Sequence, residues 1–142
     1  MNTDLAVQRA LDRLDKNGFD ALTEADKTLA AVWQFDAGVK NNGFAKYFAS
    51  RRGKIAFHAP AALQAIGANQ LAGIAAEANA VFGTAGPPQD YDSRRALVRG
   101  FDETTLRILE ALEERFYACP EDSDELLEAF LTRINKRADG RD

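Results

Sequence analysis

Carboxylates between residues 102 and 128 are the densest group of side chains that could do chemistry. This stretch carries ten acidic and two basic residues, a local charge of −8, whereas the whole 142-residue chain has a formal net charge of −4. Rows of carboxylates on helices can imitate DNA phosphates and occupy the basic groove of a DNA-binding protein. We therefore predict a partner-binding surface built from acidic residues on two helices and their connector: Glu103, Glu110, Glu113, Glu114, Glu121, Asp122, Glu125 and Glu128.

The same acids have a second interpretation, as ordinary solvated helix faces. Glu110, Glu113 and Glu114 are spaced to lie opposite the apolar stripe that contains Leu109 and Phe116, as any amphipathic helix requires. Acids in the first turn of a helix are also favoured by the helix dipole. The sequence leaves both interpretations open.

Basic residues are concentrated earlier in the chain. Residues 40–54 contain five bases and no acid, including the run Arg51-Arg52-Gly53-Lys54, which predicts a basic surface loop. The run lacks the spacing of a phosphate-binding P-loop. It could contact phosphate or an acidic partner, and it could dock on the acidic helices of a second copy, which would make the protein a homodimer.

Catalytic chemistry has little support in the sequence. His58 is the only histidine and Cys119 the only cysteine, and neither stands in a cluster with the spacing of metal ligands or of a nucleophile and its base. We predict no catalytic residue, no metal and no cofactor. The alternative hypothesis is a small-ligand-binding protein or enzyme whose pocket is formed by four polar side chains: Asp36, Asn41, Arg51 and His58.

The elements that would position these residues are helices. Apolar residues recur at helical spacing, alanine is abundant and only four prolines occur, which predicts an all-α bundle of about seven helices in a single domain over residues 1–142. Thr23, Asn69 and Asp102 are expected N-terminal caps. Pro60 suits a first helical turn. The tail is expected to fray from about residue 138.

An aromatic corner marks the middle of the chain. The run Asn41-Asn42-Gly43 interrupts a helical pattern, which resumes with Phe44, Tyr47 and Phe48 at i, i+3 and i+4. Asn and Gly enter left-handed backbone conformations most cheaply, so the run predicts a sharp corner between two helices. The rings after it, with Trp33, are expected to pack in the core.

With these motifs in view, the chain resembles a bacterial family of unknown function that is named after a DNA-mimic protein. The matching residues are those of the corner, of the end of the basic loop and of an alanine-rich helix: Asn41, Gly43, Phe44, Tyr47, Phe48, Gly53, Ile66, Gly67 and Ala68. Asn42 and Lys46 depart from the family pattern, which has Gly and Gln there. The resemblance implies a helical fold and a protein partner such as a DNA-binding protein.

Composition limits the cellular compartment in which we expect the protein and the kind of partner that it binds. No run approaches the roughly 20 apolar residues that span a bilayer, and the acidic N-terminus is unlike a secretory signal. A single cysteine fits a reducing compartment. With a pI near 5.1, general nucleic-acid binding is disfavoured. We therefore expect a cytoplasmic protein that contacts neither membrane nor nucleic acid directly.

Overall fold

The computed structural model describes residues 3–138, and this part of the chain consists of α-helices joined by short connectors, with no strand. The seven α-helices are α1 (Thr3–Asn17), α2 (Glu24–Ala49), α3 (Ala59–Ala65), α4 (Asn69–Asn79), α5 (Tyr91–Arg99), α6 (Glu103–Ala118) and α7 (Ser123–Ala138). Three 3₁₀ helices span Phe19–Ala21, Arg51–His58 and Ala80–Phe82. The predicted all-α bundle is confirmed. The tail was predicted to fray from about residue 138; Ala138 is the last residue of α7, and residues 139–142 lie outside the described part.

The long helix α2 lies at the centre of the bundle. It packs against α1, α3, α5, α6 and α7 and against the 3₁₀ helix that follows it, while α4 packs on α3 and α6. Half of its residues are buried, and they are distributed around the helix rather than along one stripe. A helix with buried residues on several sides needs neighbours on those sides, so the other helices pack around it.

The predicted corner inside α2 is confirmed, but a single residue, Gly43, forms it. Gly43 has φ 84° and ψ 173°, a region of backbone space that glycine alone adopts readily. Asn41 and Asn42 keep negative φ and stay helical and exposed. The expectation that all three residues share the corner was wrong, because this region differs from the left-handed helical one that Asn tolerates.

Rings on both sides of the corner form the centre of the core. Phe35 before it contacts Phe44 and Tyr47 after it, with ring centroids 5.9 and 5.8 Å apart, and it also meets Phe116 of α6 at 5.7 Å. Phe44, Tyr47 and Phe48 are almost fully buried, as predicted. Trp33 is only partly buried.

Two of the three predicted caps are confirmed. The side chain of Thr23 accepts a hydrogen bond from the Asp26 N–H at 3.1 Å, and that of Asp102 accepts one from the Thr105 N–H at 2.8 Å. The prediction for Asn69 was wrong, because α4 begins at Asn69 itself and the residue before it, Ala68, has no capping side chain. The basic run predicted as a loop is the start of the 3₁₀ helix Arg51–His58.

Candidate functional site

Three of the predicted acidic residues lie along the outer face of α6. Leu109, Leu112 and Phe116 are buried against the bundle, so the opposite face points to solvent. Glu103, Glu110 and Glu114 are exposed on that face, and we call these three residues the α6 acidic row. Glu103 forms an ion pair with Arg107, and both side chains remain largely exposed. Among residues 3–138, Glu110 and Glu114 have no ion-pair partner.

Regular helix geometry fixes the spacing of the α6 acidic row. With a rise of about 1.5 Å per residue, Glu110 and Glu114 are separated by about 6 Å along the axis, and Glu103 and Glu110 by about 10.5 Å. Phosphates on one DNA strand follow each other at about 3.4 Å along the duplex axis. The two intervals therefore correspond to about 1.8 and about 3.1 phosphate steps.

Glu113 belongs to the corner of α2 and not to the outer face. Its Oε1 accepts a hydrogen bond of 2.7 Å from the backbone N–H of Phe44, the first residue after Gly43. The hydroxyl of Tyr117, one turn further along α6, donates to the Lys40 carbonyl at 2.9 Å. In an unbroken helix the Phe44 N–H would donate to the Lys40 carbonyl. Two α6 side chains thus replace the bond that the corner breaks, which corrects the assignment of Glu113 to the solvated face.

Glu121 likewise accepts hydrogen bonds from backbone groups, at the start of α4. Its two carboxylate oxygens accept hydrogen bonds from the backbone N–H groups of Gln70 at 3.0 Å and Leu71 at 2.8 Å. Those groups belong to the first turn of α4, where N–H groups lack helical partners. Glu121 supplies the cap that Asn69 was expected to give, so its carboxylate is already engaged within the chain.

The remaining acids lie at the start of α7. Asp122 caps this helix, since its Oδ1 accepts hydrogen bonds from the backbone N–H groups of Asp124 and Glu125 at 3.0 and 3.2 Å. Glu125 and Glu128 are exposed on α7. Whereas α6 packs on α2 and α4, α7 packs on α2 and α1. The acids of α7 therefore occupy a second helix with its own neighbours.

The four side chains of the alternative pocket are not brought together. Asp36 forms an ion pair with Lys40 at 3.3 Å and lines a cavity beside Tyr117. Asn41 is exposed, and Arg51 lines a different cavity. His58 packs against Phe19, with ring centroids 5.1 Å apart. The pocket expected from these residues is thus not formed, because they point to separate parts of the bundle.

His58 is a partly buried ring in an aromatic contact. Burial among apolar groups lowers its pKa below the ordinary value of 6.5, since desolvation penalises the charged imidazolium. The nearby carboxylate of Glu24 acts in the opposite direction, and Lys27 adds to the lowering. The neutral ring is therefore favoured in the folded protein.

Arg94 is the buried charge that the sequence pattern did not reveal. It belongs to a basic run with Arg95 and Arg99 on α5, yet its side chain is fully buried. Its guanidinium donates to the backbone carbonyls of Phe48, Ser50, Pro88 and Gln89 at 2.6 to 3.1 Å. Desolvation lowers the pKa of Arg94 from its usual value. No sequence signal distinguishes it from Arg95, which is partly buried, or from Arg99, which is exposed.

Comparison with known protein families identifies a match. A family model described as DMP19-like protein matches residues 20–134, which includes the corner, the basic segment and α6. No curated protein and no solved structure matches the chain. Within the described residues, no helix combines the length and the apolar character needed to cross a membrane.

Proposed function

Because the chain belongs to the DMP19-like family, we propose that it is a non-enzymatic binding module that presents an acidic helical surface to a basic protein partner, and that this partner is a DNA-binding protein. The family takes its name from DNA mimic protein 19. The proposal assigns this role to the cytoplasm of a bacterial cell. The observation that carries it is the α6 acidic row, exposed in a chain of this family.

The geometry of α6 supports a DNA-like role for this row. Glu103, Glu110 and Glu114 share one face of a regular helix, and their axial intervals of about 6 and 10.5 Å approach multiples of the phosphate step. Helix α6 is held by its apolar face, so the carboxylates are presented on a rigid element. A basic groove that contacts several phosphates could contact these groups in the same way.

The proposal also includes the acids of α7, which lie on a second helix. Glu125 and Glu128 are exposed, and Asp122 stands at the exposed start of the same helix. Exposed charges of one sign accelerate association with an oppositely charged partner, and salt weakens the attraction. The proposal therefore requires partner binding that falls as ionic strength rises.

Glu113 and Glu121 do not belong to the proposed contact set. Their carboxylates accept backbone hydrogen bonds at the α2 corner and at the start of α4. Substituting them would disturb the helices as well as the surface charge. A test of partner binding must therefore leave both residues unchanged.

Affinity capture with a triple variant tests the proposal. The immobilised protein is exposed to a bacterial lysate at low salt, and retained proteins are identified by mass spectrometry, with and without added duplex DNA. We expect a retained DNA-binding protein that duplex DNA displaces. Changing the three carboxylates of the α6 acidic row to amides should reduce its retention by about tenfold or more: Glu103→Gln, Glu110→Gln and Glu114→Gln.

A matched control separates this surface from general charge. Three exposed aspartates outside α6 are changed to asparagine, which removes the same total charge: Asp12, Asp20 and Asp92. The control should retain the partner nearly as well as the unchanged protein. Equal retention by the α6 variant would remove the basis of the proposal.

Self-association of the basic segment with the acidic helices of a second copy is a separate hypothesis. It predicts a dimer at low salt that dissociates at high salt, because the contact would be electrostatic. Sedimentation velocity at the two salt concentrations measures this directly. A monomer under both conditions would contradict it.

A further inference from the structure

A cavity of about 590 Å³ lies between α1, α2, the 3₁₀ helix Arg51–His58 and the start of α5. Its volume falls within the range of about 300–1,000 Å³ that is typical of small-molecule sites. We call it the basic cavity. The side chains that matter for recognition are two aromatic rings, one amide and three cations: Trp33, Tyr91, Gln34, Arg51, Arg52 and Lys54.

The three cations of the basic cavity have no ion-pair partner within the described part of the chain. Among residues 3–138, Arg51, Arg52 and Lys54 form no ion pair, and their side chains make no hydrogen bond. Three cationic groups within four consecutive residues repel one another, so an anion between them is favoured. Their donors are free to serve a ligand.

Of the other charged groups on the cavity wall, Arg94 and Asp90 are already engaged. Arg94 donates to four backbone carbonyls, and the carboxylate of Asp90 accepts from the Ser93 N–H at 2.9 Å as the cap of α5. Asp15 is the second acid on the wall. With four cations and two carboxylates, the lining has a net charge of +2.

Aromatic rings position two of the free cations. The guanidinium of Arg51 lies over Tyr91, with its carbon 4.4 Å from the ring centroid, and that of Arg52 lies over Trp33 at 5.6 Å. A guanidinium that lies over a ring keeps several N–H groups available for other partners. These stacks therefore orient donors for an oxygen ligand.

Gly53 holds the basic segment close to the core. A Cβ at this position would lie 2.7 Å from the Tyr47 carbonyl oxygen and 2.9 Å from both the Phe48 carbonyl oxygen and the Arg94 Nε. The backbone between Arg52 and Lys54 is therefore seated against the end of α2 as closely as glycine permits. The cations project from a fixed backbone rather than from a free loop.

We propose that the basic cavity binds the phosphate group of a small molecule, held by Arg51, Arg52 and Lys54. A phosphate presents three oxygens to three cationic groups, whereas a carboxylate presents two. Gln34 adds a buried side-chain oxygen without a hydrogen-bond partner among the described residues, which a hydroxyl of the ligand can satisfy after a rotamer change. This site is separate from the α6 acidic row and does not depend on the proposed function.

Trp33 allows the site to be tested in the unmodified protein. It is the only tryptophan, so a ligand that disturbs the stack with Arg52 should change the intrinsic fluorescence. Glucose 6-phosphate and inorganic phosphate are titrated at constant ionic strength, with glucose as the neutral control and isothermal titration calorimetry as the second readout. We expect saturable binding of a phosphate probe and none of glucose. The tighter of the two probes shows the source of the phosphate, esterified or free.

Variants locate the binding in the basic cavity. Calorimetry with Arg51→Gln/Arg52→Gln should show affinity for the tighter probe reduced by about tenfold or more, because each lost charge-assisted hydrogen bond is substantial. The matched control, Arg99→Gln/Arg133→Gln, removes the same charge from exposed positions outside the cavity and should bind within twofold of the unchanged protein. The exposed single variant Lys54→Gln repeats the test with minimal risk to folding.

Several results would overturn this proposal. Absence of saturable binding of both phosphate probes would do so, as would an equal loss of affinity in the control variant. Binding of a polyglutamate peptide without binding of either phosphate would show that the cavity takes acidic peptides instead. Each of these results leaves the acidic surface of α6 unaffected, so the two proposals fail or succeed separately.

Discussion

The guanidinium of Arg94 is fully buried at the C-terminal end of α2, and among residues 3–138 it forms no ion pair. Its donors reach the Phe48 and Ser50 carbonyls, which lie at a helix end where carbonyl groups lack helical partners and the dipole is negative. It also reaches the carbonyls of Pro88 and Gln89, in the connector before α5. One side chain therefore joins the end of α2 to the start of α5.

Replacement of Arg94 should be among the most damaging single changes. We expect Arg94→Met to lower the free energy of unfolding by about 3–5 kcal/mol, because several buried carbonyls lose their donors. Arg94→Lys should restore little of the lost stability, because one ammonium group cannot donate to all four carbonyls as the planar guanidinium does. Arg99→Met, an exposed change on the same helix, should stay within about 0.5 kcal/mol. Urea unfolding measures all three, and similar values for Arg94 and Arg99 would contradict the assigned role.

The lowered pKa of His58 predicts a pH dependence of stability. The folded state favours the neutral ring, whereas the unfolded chain takes up a proton near the ordinary value of 6.5. The contribution of the neutral His58 ring to the free energy of unfolding is therefore fully present above pH 6.5, and it is lost as the pH falls below that value. His58→Phe keeps a ring against Phe19 and should remove this part of the pH dependence. Identical unfolding profiles for the two proteins between neutral and mildly acidic pH would refute the prediction.

At the scale of elements, the corner of α2 is completed by α6. Gly43 turns the chain, and Glu113 and Tyr117, one turn apart on α6, bond the Phe44 N–H and the Lys40 carbonyl that the turn separates. A broken helix leaves unpartnered backbone groups, which are costly when buried. Helix α6 therefore supplies the partner of the part-buried Phe44 N–H, and α6 is also the helix that presents the acidic row.

A comparison of two glycines with the same φ distinguishes the energetic cost of backbone strain from the cost of losing the Glu113 contact. Gly18 and Gly43 both have φ 84°, but a Cβ at Gly18 would meet no atom within 4 Å, whereas one at Gly43 would lie 2.5 Å from the Glu113 Oε1. Gly18→Ala should cost about 1–3 kcal/mol from backbone strain alone. Gly43→Ala should cost about 1–2 kcal/mol more, since it also displaces the cap. Equal losses in thermal unfolding would show that the Glu113 contact contributes nothing.

At the scale of the whole molecule, we propose that the helices form one folding unit. Helices from both ends of the sequence, α1 and α7, pack against α2. Separate halves would each lose the central helix or its cover. The sequence-based expectation of a single domain therefore has a physical reason, which unfolding can test.

A single domain predicts one cooperative unfolding transition. Urea unfolding is followed by circular dichroism, which reports helix content, and by the fluorescence of Trp33. Both signals should give the same midpoint, because the helices packed around α2 are expected to unfold together with it. Trp33 reports on α2, whereas the circular dichroism signal averages over all helices. Midpoints that differ beyond error would divide the chain into units that unfold separately.

The amino-acid sequence was sufficient for what depends on near neighbours along the chain. Helical periodicity predicted the all-α bundle, and the caps at Thr23 and Asp102 were found because a cap bonds a group three residues away. The buried rings Phe44, Tyr47 and Phe48 followed from size and spacing. The outward position of Glu110 and Glu114 followed from the same periodicity.

Tertiary structure alone decided which polar groups meet across the bundle. Glu113 bonds a group 69 residues away and Glu121 one 50 residues away, and Arg94 is buried because the end of α2 lies beside it. The same packing separates Asp36 from His58 and places Arg51 and Arg52 over rings from two different helices. The type of a side chain determines which groups it can hydrogen-bond, whereas the packing of distant helices determines which of these partners it reaches. A periodic pattern carries no information on that second point.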